Sequence, residues 1–422
     1  MKRIIANGLV ALASIFLVAC AFKGNPYPKT DQTNETWPSY VHNAPNTWTA
    51  GADRWFFTGD PNVTEEQSMS APSNATISTM MVRVPDFSKI RVEGPFQVQL
   101  FGTVDGNSVY LYGPNEEVRQ VAVEVKGDTL CVRAADKSSK NLCKVIVRIG
   151  VANLASLTQA GCGRIEGRQL RSTGLEISSS GSGNVYLAGN MNLRHVNQNG
   201  DGNISVFGAS SPMLDISTTK KGSVNVSGNI GLHSIRHQGC NDINIIGANG
   251  GNAKIYSEGK GKIGIRGAVN IYEITAKDET CVYSYCVRSG SLNVYASGKA
   301  RVGLAGSAND LYVETSGGSV FYGRDLIAQS AYVRANGSSH INVTAKDKVY
   351  ASSTGSSSVY FFGTPNMLSQ YLSGDGTVIP IWADRPNHFP LCYIGQPCVG
   401  YKDTVPVRRH HVRHRDVNRY VK

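Results

Sequence analysis

The chain lacks most of what would mark a common hydrolase or a helical membrane protein. Its 422 residues contain no nucleophile elbow, no zinc-protease motif and no pair of cysteines spaced for zinc, so the short signatures of serine hydrolases and zinc enzymes are absent. The spaced leucines and asparagine of leucine-rich repeats are missing, as is the calcium-binding glycine-aspartate nonapeptide of β-rolls. Acidic residues number 31 against 42 Lys and Arg, a formal net charge of +11, and they are scattered. The apolar stretch Ile4 to Leu17 is too short to span a bilayer as a helix.

What is present is a repeat. Twelve units begin at Gly161, Gly181, Gly200, Lys220, Gly239, Gly259, Asp278, Gly298, Ser316, Gly337, Gly355 and Gly374, spaced 18 to 21 residues apart. Four residues into each stands a β-branched aliphatic residue, the column running Ile165, Val185, Ile204, Val224, Ile243, Ile263, Val282, Val302, Val320, Ile341, Val359 and Val378. Such regularity means a solenoid, in which no unit buries its apolar face alone. Within a unit the alternation is that of strands, as in Leu175-x-Ile177 and Val185-x-Leu187, with small residues where tight turns need them. About 20 residues at ~3.3 Å each give three short strands and three turns. The reading is an all-β fold, a right-handed parallel β-helix of twelve coils, a rod on the order of 60 Å long at ~4.8 Å per coil. Burial of each column residue contributes roughly 1.5 to 3 kcal/mol.

The rest of the chain divides around this rod. Residues 1–19 have a basic start, an apolar centre and a small-residue end before Cys20, the pattern of a secretory signal. Leu17-Val-Ala-Cys20 resembles a bacterial lipobox, which implies cleavage before Cys20 and a membrane anchor of several acyl chains on that residue. Ala21 fits an outer-membrane destination. Residues 20–79, rich in Pro, Asn, Thr and Ser, form the expected lipid-anchored linker, although Trp48, Trp55, Phe56 and Phe57 are expected to dock onto the rod's base. Residues 80–150 carry longer alternating runs, such as Phe96-x-Val98-x-Leu100 and Val145-x-Val147-x-Ile149. These predict an antiparallel β cap over the first coil of the rod, residues 151–382. Residues 383–422 are a cap loop and basic tail.

The run from Phe87 through Ile90-Arg-Val92-Glu-Gly94-Pro95-Phe96-Gln-Val98 to Leu100, then Gly127-Asp-Thr-Leu130-Cys-Val132, Val145-Ile-Val147-Arg-Ile149 and the coil opening at Gly161-Cys-Gly163, resembles the auto-transporter adhesin head (GIN) domain family. The likeness covers roughly Met80 to Trp382. It implies β-helical coils with a small capping region, a secreted bacterial lipoprotein and no catalytic residues to carry over. The twelve-coil length and the basic tail depart from the pattern.

Cysteine usage agrees with export. Cys131 with Cys143, and Cys392 with Cys398, are the expected disulfides of an oxidising compartment. Cys162 and Cys240, four coils apart at ~4.8 Å per coil, are too distant to pair; Cys281 and Cys286 remain open. His233, His237, Cys240 and Asp242 lie close in sequence without supported ligand geometry, and no metal or cofactor is expected. Gly259-Lys-Gly-Lys-Ile-Gly264 has dinucleotide-fingerprint spacing, but a strand follows it where a helix N-terminus is required.

Two surface features are left. Tyr186, Tyr283 and Tyr360 share one outward position, and Tyr332 and Tyr350 are equivalent in adjacent coils; stacked tyrosines can meet a sugar or a protein strand. The tail from Tyr401 to Lys422, with Arg408, Arg409, Arg413 and Arg415 and a net charge of +5, suits an anionic envelope lipid, not nucleic acid in an exported protein. The expected function is a non-catalytic, adhesin-like or envelope-binding lipoprotein of the outer membrane, with a glycan or protein as ligand. A polysaccharide lyase or hydrolase on the same scaffold is the alternative, and it would need clustered carboxylates on neighbouring coils. A structural spacer of the envelope is the third reading.

Overall fold

The computed structural model of the chain describes residues 77–381, apart from 105 and 137–141. Its N-terminal part comprises β1 (Ile77–Val82), β2 (Lys89–Glu93), β3 (Gln97–Gly102), β4 (Ser108–Pro114), a single turn of helix α1 (Asn115–Val118), β5 (Val121–Lys126), β6 (Thr129–Ala134), β7 (Ile146–Val151) and β8 (Ser156–Gln159). Antiparallel pairs β1 with β4, β4 with β7 and β5 with β6 make the expected cap. β2 and β3 behave differently, because they pair in parallel with β8 and with the next strand, β9 (Ile165–Ser179). Val98 thereby sits under Ile165, and Gly163 N donates to Gly94 O at 3.1 Å. On their other side β2 and β3 pair, again in parallel, with β6 and β7, Val98 lying over Val147. The column of inward residues therefore starts two coils before the visible repeat, and in the chain β4 to β7 stand between β3 and the rod.

The rod continues through β10 (Val185–Gln198), β11 (Ile204–Thr218), β12 (Val224–Gly239), β13 (Ile243–Gly259), β14 (Lys262–Ala276), β15 (Cys281–Ala296), β16 (Arg301–Thr315), β17 (Val320–Gly337) and β18 (His340–Gly355). It ends with β19 (Ser358–Phe362), β20 (Met367–Gly374) and β21 (Thr377–Ile381). Each long strand bends around one coil and pairs in parallel with its successor, so the described residues form one β-solenoid of about twelve turns. The column holds as read up to Val302, every member at 0 % exposure. In the ninth unit it slips: Val302 pairs with Phe321, and Val320 pairs with Arg301. The unit therefore starts at Gly317, in line with Gly298 and Gly337, and fully buried Phe321 replaces Val320 in the core.

Two kinds of corner support the stack. In the first coils the unit-start glycines are pressed onto the coil below, and a Cβ on Gly181 would lie 1.9 Å from Gly161 O. At Gly239 and Gly259 the same corner already has positive φ, +121° and +107°, and from Asp278 onward φ narrows to +59° at Asp278 and +72° at Gly298, Gly337 and Gly355. Asp is one of the few side chains that tolerate this left-handed conformation. There the space is wider, the nearest atom to a Cβ on Gly337 being 3.3 Å away.

One corner of the core is polar. The inward column Gln159, Ser179, Gln198, Thr218, His237, Ser257 is at most 2 % exposed and alternates long with short side chains along the ladder. Each long side chain reaches the carbonyl four residues on: Gln159 Nε2 donates to Gly163 O, Gln198 Nε2 to Gly202 O, and His237 Nε2 to Asn241 O at 2.9 Å. It also lies under the next coil's glycine, so that a Cβ on Gly261 would meet His237 Nε2 at 2.2 Å. With Nε2–H donating, Nδ1 accepts from Ser257 Oγ at 3.0 Å; the imidazole is a structural amide equivalent, and no group of metal-ligating side chains exists among the described residues. Burial pushes the His237 pKa below its ordinary value.

Two outcomes follow from these corners. Ala at Gly181 should destabilise by ~3 kcal/mol or more, through a backbone clash, and Ala at Gly337 by only about 1–2 kcal/mol of left-handed strain; equal losses in a urea titration would refute the distinction. For His237, the unfolded chain takes up a proton near pH ~6.5 while the folded site resists it, so its stability contribution is complete above that pH and is lost as pH falls through it. Melting between about pH 7.5 and about pH 5 should therefore drop less in His237→Gln, which copies Gln159 and Gln198, than in the parent; parallel curves would contradict this.

Candidate functional site

The outward residues of the rod form columns as strict as the inward ones. The column that begins Glu166, Tyr186, Ser205, Asn225, Asn244 continues through Gly264, Tyr283, Gly303, Tyr322, Asn342 and Tyr360. Tyr186, Tyr283 and Tyr360 share it as expected, yet they do not form a surface together. Tyr186 lies under the Arg164 guanidinium, 4.8 Å from ring to Cζ. The Tyr283 ring covers Gly303, where a Cβ would stand 2.7 Å from it, and is only 8 % exposed. Packing against the glycine removes Tyr283 from the set of presented side chains. Tyr322, two coils beyond Tyr283, belongs to the column and was hidden by the one-residue slip at Gly317.

Tyr332 and Tyr350 do come together. Their rings are 4.9 Å apart and within 1° of parallel, and Tyr312 occupies the same column one coil earlier. Tyr295 leans on Tyr312 at 5.8 Å and 51°. The Tyr312 hydroxyl donates to Glu314 Oε2 at 2.8 Å; burial and then that carboxylate raise the phenol's pKa. On the last coil exposed Met367 and Tyr371 lie on the same outward face, and Tyr350 Oη approaches Met367 Sδ at 3.3 Å. At 4.9 Å the two rings occupy each other's inner faces, and no sugar ring can enter between them. The strip instead offers ring edges, hydroxyls and the aliphatic groups beside them.

Carboxylates elsewhere on the rod are held by their own neighbours. Asp215 accepts from Ser234 and stands 3.5 Å from His195 Nδ1, Glu273 pairs with Lys254 at 2.9 Å, and Glu279 lies between Lys260 and Lys299. A hydrogen bond from Tyr256 keeps the Glu258 carboxyl below its usual range. Burial pushes Glu166 up, against the opposing pull of Arg164 and Arg168. Its column neighbours are Gln99 and Tyr186, so no second carboxylate flanks it in register, as a glycosidic pair requires.

The cysteines depart from expectation in one respect. Cys131 and Cys143 are both free thiols. Cys131 stands in mid-strand between Arg91 and Glu124, whereas Cys143 follows buried Leu142 in a tight turn and is turned outward to solvent. Cys162 and Cys240 are free and exposed, Cys286 is free, and buried Cys281 is disulfide-bonded, so those last two do not pair with each other. Cys20, Cys392, Cys398, the Trp48 to Phe57 cluster and the tail arginines Arg408, Arg409, Arg413 and Arg415 lie outside the described residues. No helix among the described residues is long and apolar enough to cross a membrane.

These features define a capped β-solenoid that presents an aromatic strip on one side near its C-terminal end. The chain belongs to the family described as "Putative auto-transporter adhesin, head GIN domain", which matches residues 86–287 and again 267–365. The second match accounts for the length of the array. Among solved structures, the chain is similar to a "putative adhesin" from Bacteroides fragilis (17% identity, TM-score 0.24, covering 72% of this chain and 97% of that one). It is also similar to two Parabacteroides distasonis proteins, a "putative adhesin" (14%, 0.25, 73% and 98%) and a "Putative lipid binding protein" (14%, 0.23, 73% and 98%). No curated protein matches the chain.

Proposed function

We propose that the protein is a non-catalytic, adhesin-like module of the cell envelope, tethered to the outer membrane through a lipidated Cys20, that meets a glycan or protein ligand with the side of its solenoid. The observation that carries this reading is the strip of Tyr295, Tyr312, Tyr332 and Tyr350 with Met367 and Tyr371 beyond it. Other outward positions carry polar side chains that bond along their own ladder. Asn244 donates to Asn225 at 3.0 Å and Asn249 to Asn229 at 2.9 Å. A contiguous exposed aromatic and aliphatic strip on a surface otherwise so self-contained is what an interaction site looks like. The basic tail adds attraction for anionic envelope lipid within a Debye length of the surface, ~8–10 Å.

In a glycan-array and cell-binding screen the parent chain should bind, and the double variant Tyr332→Ala with Tyr350→Ala should lose about tenfold or more of that binding. Removing the stacked pair should cost only about 0.5–1.5 kcal/mol of stability. Unchanged binding by the double variant would sink the tyrosine strip, and no binding by the parent would favour a spacer. Metabolic palmitate label should be incorporated by the parent and lost in Cys20→Ala; label that persists in the variant removes the anchor from the proposal.

A further inference from the structure

A second site lies near the other end of the rod and does not involve the tyrosines. After Arg168 the chain turns at Gln169, a non-glycine residue in the left-handed region with φ +50°. That bend buries Leu170 and turns Arg171 outward. The neighbouring strand is bulged at the same level, with register shifts between Leu187 and Gly189 and between Met191 and Leu193. The two irregularities leave two shallow concavities of about 440 and about 370 Å³ that share Arg171 and Asn190. One opens toward Thr103 and Val104, the other toward Asn153, Asn192 and Ser210.

The frame of this groove is fixed by hydrogen bonds. Leu154 N donates to Arg171 O at 3.1 Å, Thr173 N to Asn153 Oδ1 at 3.2 Å, and Asn192 Nδ2 to Thr173 O at 2.9 Å. Two groups remain unengaged. Arg171 forms no ion pair among the described residues, and the Asn192 carbonyl oxygen Oδ1 is buried without a partner. A buried acceptor left unpaired costs ~1–3 kcal/mol, which a donor from a ligand would recover once the Asn192 side chain turns its amide oxygen into the groove.

We propose that this groove binds an acidic saccharide, with the sugar's carboxylate on Arg171 and its hydroxyls on Asn190, Asn192 and Ser210. Guanidinium, amides and hydroxyls are the groups that match a polyhydroxylated anion. A peptide strand is disfavoured because β9 is already paired on both sides, by β8 and β3 below and β10 above, leaving no edge for strand addition. Nor is there a deep apolar pocket for a side-chain anchor, since Leu170 is wholly buried and Val104 is 78 % exposed.

The test is calorimetric titration of the full-length chain with a short oligogalacturonate, its carboxyl-reduced neutral counterpart and inorganic sulfate. The parent should bind the acidic sugar more weakly as salt rises, and the reduced sugar about tenfold more weakly or worse, the loss of one charge-assisted hydrogen bond. Arg171→Gln and the charge-opposing Asn190→Asp, both at exposed positions, should lose affinity by the same factor. Tyr332→Ala with Tyr350→Ala should leave it unchanged, so that this site and the tyrosine strip fail independently. No binding of the acidic sugar by the parent, full affinity in Arg171→Gln, or displacement of the sugar by equimolar sulfate would overturn the proposal.

Discussion

The structure depends on one constraint, the in-register parallel stacking of every residue on its counterpart one coil away. Strand spacing of ~4.8 Å places identical side-chain positions in van der Waals contact along the whole rod. A column residue such as Ile204, at 0 % exposure, is covered along the rod by two relatives of itself, Val185 and Val224. The hydrophobic contribution of each coil, roughly 1.5 to 3 kcal/mol per column residue, is therefore realised only through its neighbours. Both ends of such a stack would otherwise expose a half-completed core. At the N-terminal end the core of the coil formed by β2 and β3 is covered by β6 and β7, which β4 and β5 flank with antiparallel pairs. At the last coil, Leu368 and Leu372 stand on the inward columns of Val349 and Ser353 and are 43 % and 47 % exposed.

The same constraint explains how a polar corner survives in the core. Identical long side chains stacked at strand spacing would collide, and identical short ones would leave unfilled polar groups. Alternation of Gln or His with Ser or Thr meets both demands, because each long side chain extends beneath a neighbouring glycine and satisfies a carbonyl that the turn leaves unpaired. Asn241 stands where the other early coils have glycine, 1 % exposed, and takes part through Thr218 and Gly222 O. Further along the rod the corner is filled differently. Thr315 donates to Ser339, and Ser353 lies 2.8 Å from Ser357, so short hydroxyls meet across the corner once the glycines are gone.

Period, column and fold class were legible in the sequence because they repeat, and repetition averages out local ambiguity. The failures were local and have local causes. A unit start sought at Ser316 lies one residue before Gly317, and since strand faces alternate with a period of two, that slip put Val320 in the core and hid Tyr322. The first coils were not legible because the stacking order of Val147, Val98 and Ile165 is not their order in the chain. Tyr283 read as a surface residue because its column is outward, and only the glycine at 303 reveals that the ring lies down on the next coil. Cys131 and Cys143 suggested a bridge from proximity in sequence, although side-chain direction decides pairing. The Arg171 groove was not legible at all, for it depends on a single left-handed residue and on bulges that no periodic pattern announces.

The placement of the two candidate sites follows from how regular the ladder is at each level. Between β9 and β10 the pairing is broken by three register shifts, and between β15 and β16, or β16 and β17, by one. Each bulge leaves a residue without a partner and bends its strand, so the side of the rod near Arg171 is uneven enough to hold concavities. Where β16 and β17 run in register without interruption from Gly306 to Ala308 and from Asp310 to Thr315, that evenness aligns Tyr312 with Tyr332, and β18 extends it to Tyr350. Flat stacking to within 1° requires that regularity, and a groove excludes it. A solenoid that carried the bulges of its early coils throughout could not have built the tyrosine strip, and one regular throughout would have had no recess for Arg171 to line.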